Sequence, residues 1–90
     1  MKKNILDRIF NDKELTSIEK LLMLDLIRVN GELTKENCYV NLANDEIAEH
    51  LNCSKTSASL TIKSLIQKGL LEMVKFDGRT RILKITLLEK

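Results

Sequence analysis

The sequence of 90 residues predicts one domain of mainly α fold with a small β-hairpin, an α+β arrangement. Segments with apolar residues at helical spacing are preceded by capping residues and followed by glycine or asparagine. The dipeptide Asp77-Gly78, which is typical of hairpin turns, separates two runs of β-forming residues. Because the chain has no proline and three glycines, we expect no long linker and treat residues 1–90 as a single domain.

The first helix is predicted in an N-terminal extension, residues 1–14, whose apolar side chains fall on one helical face. A helix this short is unstable alone, so it must dock on its own domain or on a second subunit. The next helix begins at the capping box Thr16-Ser-Ile-Glu19 and ends at Asn30-Gly31. It is apolar on more than one side, which indicates more than one contact. We therefore expect a dimer contact from Ile5, Ile9, Phe10, Met23 and Ile27.

The predicted core, residues 16–87, contains a short strand at 38–42 and two further helices. Asn44 is the predicted N-cap of a two-turn helix that ends at Asn52, a residue that tolerates left-handed geometry. Ser54 caps the last helix, residues 54–68, which Gly69 terminates.

Two strands, residues 70–74 and 81–87, flank the hairpin turn and form a wing over residues 75–81, in a sheet of two to three strands. In the return strand, Leu83, Ile85 and Leu87 share one face, since side chains alternate along a strand.

The order of helix, strand, short helix, tight turn, longer helix and hairpin is that of a winged helix-turn-helix. Residues 44–72 resemble the core of bacterial winged helix-turn-helix regulators and the N-terminal domains of plasmid and phage replication initiators. The most specific pieces are Ile47-Ala48 followed by Leu51, then Cys53-Ser54, then Leu65 with Gly69-Leu70-Leu71-Glu72. Asn52 departs from a common glycine. The resemblance covers residues 40–87 and implies three core helices, a wing, and double-stranded DNA as the partner.

The outer face of the predicted recognition helix, residues 54–68, supplies the candidate DNA contacts. They are Ser54, Lys55, Thr56, Ser57, Ser59, Leu60, Thr61 and Lys63. We expect Thr56, Ser57 and Ser59 near bases, and the two lysines near phosphates. No arginine lies on this helix, so bidentate guanine recognition from it is not available.

Leu60 admits three interpretations: a surface leucine, a contact with thymine methyl groups in an A·T-rich site, or a contact with a second subunit. In the wing, Lys75, Arg79 and Arg81 are candidate DNA contacts, with Arg79 at the tip beside a minor groove. The alternative is that these charges only protect edge strands from association.

Charge is distributed unevenly along the chain. Residues 1–53 carry 7 Lys/Arg and 10 Asp/Glu, whereas residues 54–90 carry 8 and 3. The basic C-terminal part suits a polyanionic partner. No signal peptide or membrane-spanning run is recognised, so the cytoplasm is expected.

No catalytic constellation is found, and we expect no enzyme, cofactor or small-molecule effector. Cys38 and Cys53 form no C-x-x-C pair, and with a single histidine we expect no metal site. The leading hypothesis is a transcriptional regulator that binds DNA as a homodimer. The first alternative is a replication initiator module, which is less favoured because such proteins usually have a further domain and this chain ends near the wing. The second is a protein-interaction module, suggested by the acidic N-terminal half and Leu60.

Overall fold

The computed structural model describes residues 2–86, which form four helices and a three-stranded antiparallel sheet. This arrangement confirms the predicted winged helix-turn-helix fold. The elements are α1 (Lys2–Asn11), α2 (Ser17–Asn30), β1 (Tyr39–Ala43), α3 (Asn44–Leu51), α4 (Lys55–Gln67), β2 (Leu71–Phe76) and β3 (Thr80–Ile85). Among the described helices, none has the length and apolar character needed to cross a membrane.

Local hydrogen bonds define the ends of α2 and α4. At the start of α2, the Thr16 hydroxyl accepts from the Glu19 N–H at 3.2 Å, and the Glu19 carboxylate accepts from the Thr16 N–H at 2.7 Å. This is the predicted capping box. Gly31 ends α2 with φ +88°, a backbone conformation that favours glycine. At the start of α4, the Ser54 hydroxyl accepts from the Ser57 N–H at 3.0 Å, so the predicted N-cap is confirmed.

The start of α3 differs from the prediction. Asn44 is the first helical residue, and Ala43 occupies the N-cap position. The Ala43 N–H donates to the Glu46 carboxylate at 3.1 Å, so the missing side-chain cap is partly replaced from the third helical residue. The Asn44 side chain instead accepts a hydrogen bond from Arg81. At the other end of α3, Asn52 is left-handed with φ +52°, as expected.

The sheet has the order β1-β3-β2, and the return strand β3 pairs with both neighbours. Leu83 and Ile85 are buried, which confirms the predicted inner face; Leu87 lies outside the described residues. A bulge lies between Met73 and Lys75, after which Phe76 is paired with Arg81. Since directly opposed residues share a face, this bulge brings Phe76 to the same side of the sheet as Arg81.

Helix α1 docks on its own domain rather than leaving its apolar face to a second subunit. Ile5, Ile9, Met23 and Ile27 are at most 7% exposed and belong to the core. This corrects the expectation that they form a dimer contact, because the surplus apolar surface of α2 is covered by α1 of the same chain. Of the predicted set, only Phe10 is exposed, at 58%.

Candidate nucleic-acid interface

Helix α4 is held by the core along one side and is open on the other. Ala58, Ile62 and Leu65 are buried, at the spacing of a single helical face. The connection from α3 is tight, since Asn52 is left-handed and the Cys53 N–H donates to the Ala48 carbonyl at 3.0 Å. A short, hydrogen-bonded turn of this kind fixes the direction in which α4 leaves α3.

The open side of α4 carries a stripe of side chains at positions i, i+4 and i+7. Thr56, Leu60 and Lys63 are all exposed, and Leu60 is 60% exposed. Lys55 is also exposed, but its ammonium group lies 2.8 Å from the Asp45 carboxylate. The hydrogen bond and positive charge of Lys55 lower the pKa of Asp45. Thr56, Leu60 and Lys63 therefore form an exposed stripe along the predicted recognition face, which we call the α4 stripe.

Thr61 does not belong to the outer face, contrary to the prediction. It is 7% exposed, and its hydroxyl donates to the Ser57 carbonyl at 2.7 Å. Position 61 lies three residues after Ala58 and four before Leu65, which places it on the buried face of the helix. Ser57 is half-buried, and its hydroxyl oxygen accepts from the Ser54 hydroxyl at 3.1 Å. Both serines thus take part in the cap at the start of α4.

Arg81 is buried rather than presented on the wing, which corrects its assignment as an exposed DNA contact. It is 6% exposed; Nε donates to Asn44 Oδ1 and Nη2 donates to Ser59 Oγ at 3.1 Å. Its guanidinium carbon lies 4.8 Å from the centre of the Phe76 ring. Burial lowers the pKa of Arg81. The reason is strand alternation: position 81 shares a face with the buried Leu83 and Ile85.

The tip of the wing is a tight turn whose cations are exposed. The Asp77 carboxylate accepts from the N–H groups of Thr80 and Arg79 at 2.8 Å and 3.1 Å, and these hydrogen bonds lower the pKa of Asp77. The side chains of Arg79 and Lys75 are exposed. Lys75 is paired with Ile82, so it lies on the face of the sheet opposite to Arg81.

A groove of about 520 Å³ runs between α4 and the wing. Its apolar lining is Leu60, Met73 and Phe76, and its cationic lining includes Lys63 and Arg81. We call this the α4–wing groove. Sequence reasoning missed Met73 and Phe76, since Phe76 reaches this side only through the bulge at Val74.

Two polar contacts that the sequence did not predict hold α2 against the helices of the motif. Lys68 Nζ lies 2.7 Å from the Glu19 carboxylate, which also accepts from the Ser64 hydroxyl. Burial acts to raise the pKa of Glu19, but hydrogen bonds from Lys68, Ser64 and the Thr16 backbone outweigh it and lower the pKa to about 2. On α3, His50 Nδ1 lies 2.7 Å from the Asp25 carboxylate. The first contact holds α2 against the end of α4, and the second holds α2 against α3.

Comparison with known proteins agrees with this geometry. A model of the helix-turn-helix domain matches residues 13–71. The match ends at Leu71, the first residue of β2. The wing lies beyond the matched residues and is seen in the structure alone.

Over 63 residues the chain is 33% identical to the putative BTB/POZ domain-containing protein L742 of Acanthamoeba polyphaga mimivirus. The similar segment covers 70% of this chain and 14% of the viral protein, so the chain spans a small part of that relative's length. No solved structure matches the chain. Since the family match extends over α2, α3 and α4, the chain belongs to the helix-turn-helix domain family, a family of DNA-binding domains.

Proposed function

We propose that this protein recognises specific double-stranded DNA sequences with α4 in the major groove and regulates transcription from those sites. The observation that carries the proposal is the α4 stripe of Thr56, Leu60 and Lys63. It is exposed along one side of a helix whose other side is anchored in the core. A B-DNA major groove is wide enough to accept one such helix.

Within this arrangement, the side chains have different roles. Thr56 is the best-placed hydroxyl for base edges, and Lys63 is placed to contact a phosphate. The Ser59 oxygen accepts from Arg81, which leaves its hydroxyl hydrogen free to donate to DNA. Ser54 and Ser57 orient the start of the helix through the cap.

A preference for A·T-rich sites is supported by two exposed side chains. Leu60 lies in the α4 stripe, where an apolar group can contact thymine methyl groups. Arg79 lies at the wing tip, where it can enter a narrow minor groove. Replacing thymine by uracil in a bound site removes the methyl groups alone. We expect this replacement to weaken DNA binding by the unaltered protein but to have little effect on DNA binding by the Leu60→Ser variant.

The role in transcription is supported by the resemblance of residues 44–72 to bacterial regulators. The experiment that tests the function is selection of bound duplexes from a random DNA pool, followed by mapping of the enriched site onto promoters. Thr56→Ala should change the enriched sequence, whereas Lys75→Gln, on the opposite face of the sheet, should not. Failure to enrich any sequence would refute specific recognition.

A homodimer stays a prediction, based on the two-fold symmetry of regulatory sites. Among the residues predicted to form its contact, Phe10 is the exposed one. Two half-sites in the selected DNA, together with a dimer mass in sedimentation on that DNA, would support it. A single half-site bound by one protomer would exclude it.

A further inference from the structure

The charge of Arg81 is poorly compensated by the described residues. Arg81 is buried, with 6% of the residue exposed. Within residues 2–86 its hydrogen bonds to Asn44 and Ser59 use two of its five N–H donors. Over the same residues, no carboxylate forms an ion pair with it. A buried cation without a negative partner is unfavourable, so an anion that reached Arg81 would be stabilised.

The α4–wing groove is the route by which an anion could reach this charge. Arg81 lines the groove, and Lys63 lines it from the α4 stripe. Lys63 is exposed and takes part in none of the ion pairs of the described residues. Lys63 on α4 and Arg81 on β3 therefore line the same concave surface. This geometry suits an anionic group with several acceptor oxygens, such as a phosphate.

The remaining wall of the groove is apolar. Phe76 is 50% exposed there, beside the partly buried Met73. A simple inorganic anion would gain nothing from this wall, whereas a deoxyribose presents a largely carbon surface to it. The combination of an apolar wall and two cations matches one sugar–phosphate unit.

The position of the groove agrees with this chemistry. When α4 lies in a major groove and the wing tip lies at the neighbouring minor groove, one DNA strand must pass between them. We propose that the α4–wing groove holds one sugar–phosphate unit of that strand, with its phosphate at Arg81 and Lys63 and its sugar against Phe76 and Met73. This inference rests on the function proposed above.

The test uses the full chain and a 20-base-pair duplex of the selected sequence. Each phosphate in turn is replaced by an uncharged methylphosphonate, and the dissociation constant is measured. At one or two adjacent positions on one strand, we expect affinity to fall by about tenfold, the loss of one charge-assisted hydrogen bond. In Lys63→Gln, neutralising those same phosphates should have at least a threefold smaller effect. The matched control, Lys75→Gln, removes an equal charge from the opposite face of the sheet and should keep the full effect.

Two further variants address Arg81 and the apolar wall. Arg81→Lys keeps the charge but loses the planar guanidinium, and it should reduce the methylphosphonate effect at the same positions while circular dichroism shows an intact fold. Phe76→Ser should lower affinity without changing the salt dependence, whereas Val74→Ser, at an equally exposed position outside the groove, should leave affinity unchanged.

The outcomes separate the two proposals. If no duplex binds, the proposed function fails. If DNA binds but no methylphosphonate position depends on Lys63, the groove does not hold a backbone phosphate and this inference is overturned. The same conclusion follows if Lys75→Gln abolishes the effect equally, because the effect would then reflect general charge. Unchanged affinity in Phe76→Ser would overturn the sugar contact.

Discussion

Replacing Glu19 by glutamine removes the charge that ties α2 to the end of α4. One carboxylate oxygen accepts from the Thr16 N–H and from Lys68 Nζ, each at 2.7 Å, and the other accepts from the Ser64 hydroxyl. The side chain is 3% exposed. These interactions lower the pKa from 4.5 to about 2 in the folded protein. A difference of this size corresponds to about 3 kcal/mol of folding free energy.

The same pKa determines how the effect depends on pH. Since the folded-state pKa is lowered, the stabilisation is complete well above 4.5 and is lost as the pH falls toward 2. Urea unfolding followed by circular dichroism should show Glu19→Gln less stable by about 3 kcal/mol at neutral pH, and by less than half of that near pH 3. The exposed Glu14→Gln serves as the control and should stay within about 0.5 kcal/mol of the unaltered protein. An equal difference at both pH values would refute the reasoning.

Three other substitutions test separate parts of the structure. Asp45→Asn frees Lys55 from an exposed ion pair, so the thermal unfolding temperature should change little. The salt dependence of DNA binding should steepen by up to about 0.9 in log–log slope. An unchanged slope would mean that Lys55 does not reach DNA. Ser54→Ala removes the α4 cap and should cost about 1 kcal/mol in urea unfolding; no loss would mean that the cap is not stabilising. Gly31→Ala should cost about 1 kcal/mol, since φ is +88° and an added Cβ meets no atom within 4 Å. D-alanine, introduced there by chemical synthesis, should be tolerated, and equal losses from both enantiomers would point to a clash instead.

The elements that the sequence predicted well are those determined by neighbouring residues. The capping box at Thr16, the Ser54 cap and the left-handed Asn52 each depend on residues within four positions. Their chemistry is visible in the sequence because the hydrogen-bond partners lie on the same short segment. The alternation of Leu83 and Ile85 likewise identified the inner face of β3.

Several of the errors concern contacts between segments that are distant in sequence. The charge of Arg81 predicts an exposed side chain, whereas alternation from the buried Leu83 predicts a buried one, and the structure agrees with the alternation. Its partner Asn44 lies 37 residues away, and no local pattern relates the two. Phe76 depends on a bulge, a single extra residue that reverses the face of every later side chain. The burial of Ile5 and Ile9 could not be predicted, because the sequence does not show whether α1 docks on its own chain or on a second subunit.

These corrections limit how strongly one copy of the domain can hold DNA. With Lys55 paired to Asp45, the cations placed for phosphates in the described part of the chain are Lys63, Arg79 and, through the groove, Arg81. Three neutralised phosphates predict a log–log salt slope of about −3 for one protomer. Many specific DNA-binding proteins make 6–10 phosphate contacts and therefore have a steeper slope than this. A steeper slope of about −5 to −6, measured on the selected duplex by titration with potassium chloride, would therefore require two copies on the site. If sedimentation shows one protomer on the duplex while the slope is steeper than about −4, cations outside these three must contribute, and the interface assigned to α4 and the wing would be incomplete.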